Sequence, residues 1–238
     1  MIRADCHSHT LYSLDSRMTP ADSVERAAAV GIDRIAVTDH NVIEGALEAH
    51  ALAPERVIVG EEVTCGCGTH LIGLFLTERI PAGLPIEAVA ERIRDQGGVV
   101  YAPHPYAYAW RAAWHAERAL AVADVVEGVN SRAFIPAWNR RALREALRRG
   151  IPVAAGTDAH FPREIGRAYA EMPGFRNATE FLQAVRHARP VLVETASPVL
   201  LIASRVLEVS RQLVGWASPR TRSALADAYD GAAVIDGR

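Results

Sequence analysis

Residues 151–160 read IPVAAGTDAH, a short apolar run that ends in an aspartate and a histidine two positions apart. Apolar runs of this length, bounded by glycine or proline, predict buried strands. The same grammar recurs in IRADCHS (2–8), RIAVTDH (34–40), RVIVGEEVT (56–64), THLIGLF (69–75), GVVYAPH (98–104), VVEGVN (125–130) and PVLVET (190–195). Amphipathic stretches separate many of them: TPADSVERAAAVG (19–31), GLPIEAVAERIRDQGG (83–98), IPAWNRRALREALRRG (135–150) and NATEFLQAVRHARP (177–190). In the first, Thr19 is an N-cap, Pro20 fits the first helical position and Gly31 stops the helix. Alternating β and α units with buried strands predict a parallel sheet, most economically closed into a barrel. Residues 1–196 are expected to form this barrel. SPVLLIASRVLEVSRQLVGW (197–216) reads as an apolar helix and 217–238 as a polar tail. Together, 197–238 are expected to form a C-terminal extension packed on the barrel or at a subunit interface.

Half of the 238 residues are apolar, enough for a sizeable core. The formal net charge of −2 provides no general attraction for nucleic acid or an anionic membrane. No apolar run approaches the length of a spanning helix, and the first residues lack a signal-peptide pattern. Three cysteines, Cys6, Cys65 and Cys67, cannot all pair, which predicts a reducing, cytoplasmic setting. All 26 basic residues are arginine. Schiff-base chemistry, a carbamylated-lysine metal bridge and a P-loop lysine are thereby excluded.

In such a barrel, functional side chains sit where strands end and βα loops begin. His7 and His9 are two apart on a strand and so point to one side. His40 ends VTDH, Glu62 lies late in its strand and His70 opens the next. His104 ends YAPH, and Asp158 and His160 repeat the two-residue spacing. Only His50, His115 and His187 fall in helix-like stretches. With Asp15, nine groups can converge on one barrel mouth. Imidazole and carboxylate donors suit zinc, manganese or iron, and nine of them imply two to three divalent ions. Three carboxylates cannot neutralise that charge, so the natural guest is a phosphate dianion.

The ordered motifs HSHT (7–10), SLDS (13–16), VTDH (37–40), GEEV (60–63), THLIG (69–73), APHP (102–105) and GTDAH (156–160) closely resemble the polymerase and histidinol phosphatase (PHP) family. The resemblance runs over about residues 5–195. It implies a distorted (β/α)7 TIM-like barrel with a trinuclear metal site that hydrolyses phosphoesters. Carried over by motif, His7, His9, Glu62 and Asp158 would hold the first ion. Glu62 would bridge to a second, held by His70 and His104, and Asp15, His40 and His160 would hold the third. The family often has histidine where Asp15 stands. Glu61 competes with Glu62 because only pleat direction separates them; Glu62 fits the Gly-x-Glu pattern at Gly60. Asp39 is expected to orient an imidazole or a metal-bound water, or to cap the helix after TDHN.

The mechanism expected from such a site is attack on phosphorus by a hydroxide bridging two ions, while the ions neutralise the phosphate oxygens. No protein nucleophile is required, and the chain carries no G-x-S-x-G. Arg17, Arg132 and Arg167 follow strand ends and are candidate phosphate clamps through paired guanidinium bonds. Asn130 can meet substrate from the Arg132 loop. Cys65 and Cys67 lack a second cysteine pair and read as idle thiols. Arg140, Arg144 and Arg148, with Arg141 and Arg149 beside them, read as a solvated helix face. Tyr101, Tyr106, Tyr108, Trp110 and Trp114 surround His104. Those after His104 could wall a base or ring pocket, with core packing or a loop lid as the other roles.

The leading expectation is an enzyme hydrolysing a small phosphomonoester: a nucleotide, a sugar phosphate or an amino-alcohol phosphate. A second is a nuclease or terminal phosphatase acting on short oligonucleotide ends or nucleoside bisphosphates. A third is a noncatalytic metal-binding regulatory module, against which the complete ligand set weighs. An amidohydrolase also opens with His-x-His, but its bridging lysine is absent here. The substrate, the metal and the oligomeric state are left open by sequence.

Overall fold

The computed structural model describes residues 1–107 and 115–215. Tyr108, Trp110, Trp114 and the tail 217–238 lie outside the described residues. Along the chain run β1 (Ile2–Asp5), α1 (Pro20–Ala29), β2 (Arg34–Val37), α2 (Glu44–Leu52), β3 (Val57–Thr64), β4 (His70–Leu74), α3 (Ile86–Asp95) and β5 (Val99–Ala102). Then follow α4 (Ala116–Val122), β6 (Val125–Asn130), α5 (Pro136–Arg149), β7 (Val153–Gly156), β8 (Ala168–Met172), α6 (Ala178–Ala184), β9 (Arg189–Leu192) and α7 (Pro198–Leu213).

The strands form one sheet in the order β7-β6-β5-β4-β3-β2-β1-β8-β9. It is nearly closed. Past Asp5 the chain leaves β8 and pairs with the continuation of β7: Cys6 N–H donates to Ala155 O (3.1 Å), Asp158 N–H to His7 O (2.8 Å) and His9 N–H to Ala159 O (2.8 Å). The expected barrel is present, but the sheet is mixed rather than all parallel. β1, β2 and β3 are mutually parallel, as are β5, β6 and β7, whereas β4 runs antiparallel to both neighbours. Residues 65–69 are too few to hold a crossover helix, so β3 and β4 must form a hairpin. β8 and β9 add a second antiparallel pair beside β1.

Alternation along the strands sorts side chains into two cores. Ile35 and Val37 join Leu71 and Ile93 between sheet and helices, while Ala36 joins Ile58, Ile72, Tyr101 and Phe181 on the barrel's inner side. Helix ends follow their sequence signals. Thr19 and Asp22 form a reciprocal capping box on α1, and Gly150 stops α5 in a left-handed conformation. α7 is capped by Ser197 and buries Leu200 and Ser204. No helix among the described residues is long and apolar enough to cross a membrane.

Candidate metal centre

The nine sequence-selected groups meet at the carboxyl ends of the parallel strands. His7 and His9 follow β1, and their Nε2 atoms lie 3.0 Å apart. Each is 3.3 Å from Glu62 Oε2, and Asp158 Oδ1 is 3.6 Å from the first and 3.3 Å from the second. Donor atoms bound tetrahedrally at 2.0–2.1 Å would stand about 3.3 Å apart. The other Glu62 oxygen lies 2.7 Å from His70 Nδ1 and 3.2 Å from His104 Nε2. Asp15 Oδ2 is 2.7 Å from His160 Nε2 and 3.6 Å from His40 Nε2. The β3 pleat turns Glu62 toward the histidines. Glu61 points away, its Oε2 accepting the Ile80 N–H (2.8 Å), and burial raises its carboxyl to about 7.

The residues around this cluster fix how its donors point. Glu127 Oε1 accepts from His7 Nδ1 (3.1 Å), and its Oε2 accepts the His104 N–H (2.7 Å) and Asn130 Nδ2 (2.9 Å). With its Nδ1 proton turned to Glu127, His7 has Nε2 directed at the cluster, where it would serve as a ligand. Asp39 accepts Thr10 N–H (2.7 Å), the Thr10 hydroxyl (2.6 Å) and the Ser13 hydroxyl (2.6 Å), so it fastens the turn after β1. Ser13 Oγ in turn lies 3.3 Å from His9 Nδ1 and accepts the His40 N–H (3.0 Å). α2 has Ile43 at its N-cap and no side-chain cap, so Asp39 does not serve there. His104 (φ 28°) and Asp158 (φ 56°) both occupy the left-handed region, which residues with a Cβ adopt at a cost of about 1–3 kcal/mol.

Electrostatics follow from this crowding. Burial alone would raise the Glu62 carboxyl, but His40, His70 and His7 hold it well below its ordinary range. Asp15 is likewise held low, by His160 and His40 against its own burial. Burial would lower the His40 imidazole, yet Glu62 and Asp15 push it up to about 10. These donors fit divalent transition ions. The Nε2 atoms of His7 and His9 face each other 3.0 Å apart beside Glu62 and Asp158, a geometry that suits a cation between them, and Asp15 Oδ1 is buried without a hydrogen-bond partner. Among the described residues, no three-ligand group includes Cys65 or Cys67.

The expected substrate contacts are distributed differently. Asn130 is fully buried; it donates to Glu127 and, at 3.3 Å, to Asp158 Oδ2, so it positions ligands rather than meeting substrate. Arg132 is also buried. It reaches Leu200 O, the Ser204 hydroxyl and Asp158 O, with Glu164 3.8 Å away. Arg167 bonds Thr195 O (3.3 Å) and pairs with Glu194 (3.3 Å). Arg17 alone of the three is exposed, beside Asp15, with its N–H on His160 O (3.2 Å). Tyr101 and Tyr106 are buried in the core. Sequence reasoning missed Glu127 and Glu164, the latter accepting the His160 N–H (2.9 Å); a carboxylate inside the buried run VVEGVN was the available signal for Glu127.

A nearly closed barrel that gathers imidazoles and carboxylates at its strand ends has the architecture of a metal-dependent phosphoesterase. The chain belongs to the PHP family. The PHP domain profile matches residues 5–92 and the PHP-associated profile residues 136–190. An uncharacterised protein of Methanocaldococcus jannaschii is 31% identical over 212 residues, covering 84% of this chain and 85% of its own. The 3',5'-nucleoside bisphosphate phosphatase of Chromobacterium violaceum is 36% identical over 108 residues, 41% of this chain and 38% of its own. Among solved structures, a two-domain Bacteroides vulgatus protein containing a predicted PHP-like metal-dependent phosphoesterase superposes with a TM-score of 0.62 at 16% identity, over 86% of this chain and 69% of that one.

Proposed function

We propose that this phosphoesterase removes a terminal phosphate from small molecules, using two to three divalent ions of manganese, iron or zinc held by His7, His9, Asp15, His40, Glu62, His70, His104, Asp158 and His160. The observation that carries the reading is the convergence of these donors at ligand spacing, with one open side. His40, His70 and Asp15 are 28%, 21% and 19% exposed, whereas His7 and His9 are fully enclosed. A phosphate therefore approaches over His40, His70 and Asp15. Similarity to a nucleoside bisphosphate phosphatase supports a small phosphorylated substrate.

When bound, the ions supply Lewis acidity toward phosphate oxygens and lower the pKa of water. The chain's own residues do the rest. Glu127 accepts from His7 Nδ1, Asp39 and Ser13 hold His9 and His40 in place, and Arg17, exposed two residues after Asp15, offers a guanidinium for the phosphate. The test is a hydrolysis screen across nucleotides, nucleoside bisphosphates, sugar phosphates and short oligonucleotides with manganese, paired with elemental analysis. Two to three ions per chain and turnover of small monoesters are expected, both lowered by His9→Ala. At most one ion under replete conditions, or no monoester turnover, overturns the reading.

A further inference from the structure

We propose that α7 completes the metal centre, with Arg211 as a positioning residue that fixes the Asp15 loop. The inference rests on the metal-centre reading above. Arg211 Nη1 lies 3.1 Å from Ser13 O, 3.1 Å from Leu14 O and 2.8 Å from Ser16 O, three carbonyls that flank Asp15. Converging carbonyl dipoles repel one another, and a guanidinium among them turns that repulsion into charge-assisted bonding. The segment has no regular secondary structure, and its short turns, Ser13 N–H to Thr10 O (2.9 Å) and Ser16 N–H to Ser13 O (3.3 Å), leave those carbonyls directed at the helix.

A second tie runs from the same helix. Ser204, one of its buried residues, bonds Arg132, which also reaches Asp158 O, and Glu164 beside that guanidinium accepts the backbone N–H groups of His160 and Phe161. α7 thus touches the Asp15 loop directly and the Asp158 and His160 loop through Arg132. Asp15 and His160 are the pair whose oxygen and nitrogen stand 2.7 Å apart. Without Arg211, the loop would have to be ordered at the moment a metal binds, and affinity would fall at that ion while the Glu62, His70 and His104 side kept its own. By thermodynamic reciprocity, a bound ion tightens the docking of α7.

The experiment is calorimetric titration of the metal-stripped full chain with manganese alone. Arg211→Ala is expected to weaken the ion at Asp15 by roughly 10–100-fold, the range for partners that orient ligands, with the other ions and the circular dichroism spectrum unchanged. Arg211→Lys should recover part of the loss. Arg205→Ala, which removes only a pairing with Glu208 on the same helix, should titrate as wild type. Full stoichiometry at wild-type affinity in Arg211→Ala overturns the proposal. Wild type that binds at most one ion overturns the metal-centre reading instead. If Arg211→Ala does not fold, hydrogen exchange on wild type decides: manganese should slow exchange in residues 198–213 together with 11–18. Protection of 11–18 with none in α7 overturns it.

Discussion

Glu127 shows how much of the centre depends on one side chain that no metal would touch. Its two oxygens serve His7 Nδ1, the His104 N–H and Asn130 together. Glu127→Gln keeps the volume but removes one acceptor, and His7 can then carry its proton on Nε2, aimed at the cluster. Metal affinity and turnover should both fall by roughly 10–100-fold, read by competition with a chromophoric chelator. An unchanged affinity would show that the His7 tautomer is set elsewhere. The convergence of the nine groups was legible in the sequence, because strand geometry places residues two apart on one side and those positions carry histidine and aspartate. Glu127 was harder to see, since a lone carboxylate in an apolar run signals a buried partner without naming it. The arginines were least legible: Arg132 and Arg167 follow strand ends as a clamp would, but their forks are claimed by α7 and by Glu194, which only the folded chain brings within reach.

At the scale of elements, the hairpin of β3 and β4 delivers Glu62 and His70 from adjacent antiparallel strands, in register Thr64 to His70 and Glu62 to Ile72. The expectation of a parallel sheet missed this pairing although only residues 65–69 separate the two strands, and β8 was missed because AYAEM sets only small alanines and a methionine against Tyr169 and Glu171. The helix after TDHN was expected without bounds, because α2 lacks a capping side chain, the strongest local start signal. Strand β7 packs tightly against the centre. A Cβ on Gly156 would strike Glu127 Oε1 and His7 Cβ, whereas one on Gly174 meets open space. Gly156→Ala should therefore lower stability by about 1–3 kcal/mol and weaken metal binding, while Gly174→Ala leaves metal binding unchanged. Thermal melts with and without manganese check both, and equal behaviour of the two variants would remove the packing argument.

For the whole molecule, charge bears on the proposed preference for small substrates. The net charge of −2 creates no field for polyanions. The exposed arginines of α5 are partly spoken for: Arg148 pairs with Glu145 and Arg141 covers the Tyr106 ring. Oligonucleotides are therefore expected to be processed from an end and only when short. A circular single strand, which offers no terminal phosphate, should remain intact in an electrophoretic assay under conditions that hydrolyse a nucleotide. Its efficient cleavage would place the protein with internal nucleases.

The pairing of the His7–His9 segment with Ala155–Ala159 also bears on how the protein is made. Ribosomes add about 5–20 residues per second, so roughly 8–30 s separate the emergence of His7 from that of His160. A nascent chain that has just exposed His104 already carries seven of the nine donors, but not the strand that seats the first two of them. On the metal-centre reading, the full donor geometry is expected only once the barrel closes, because Asp158, His160 and the strand that seats His7 and His9 are made last.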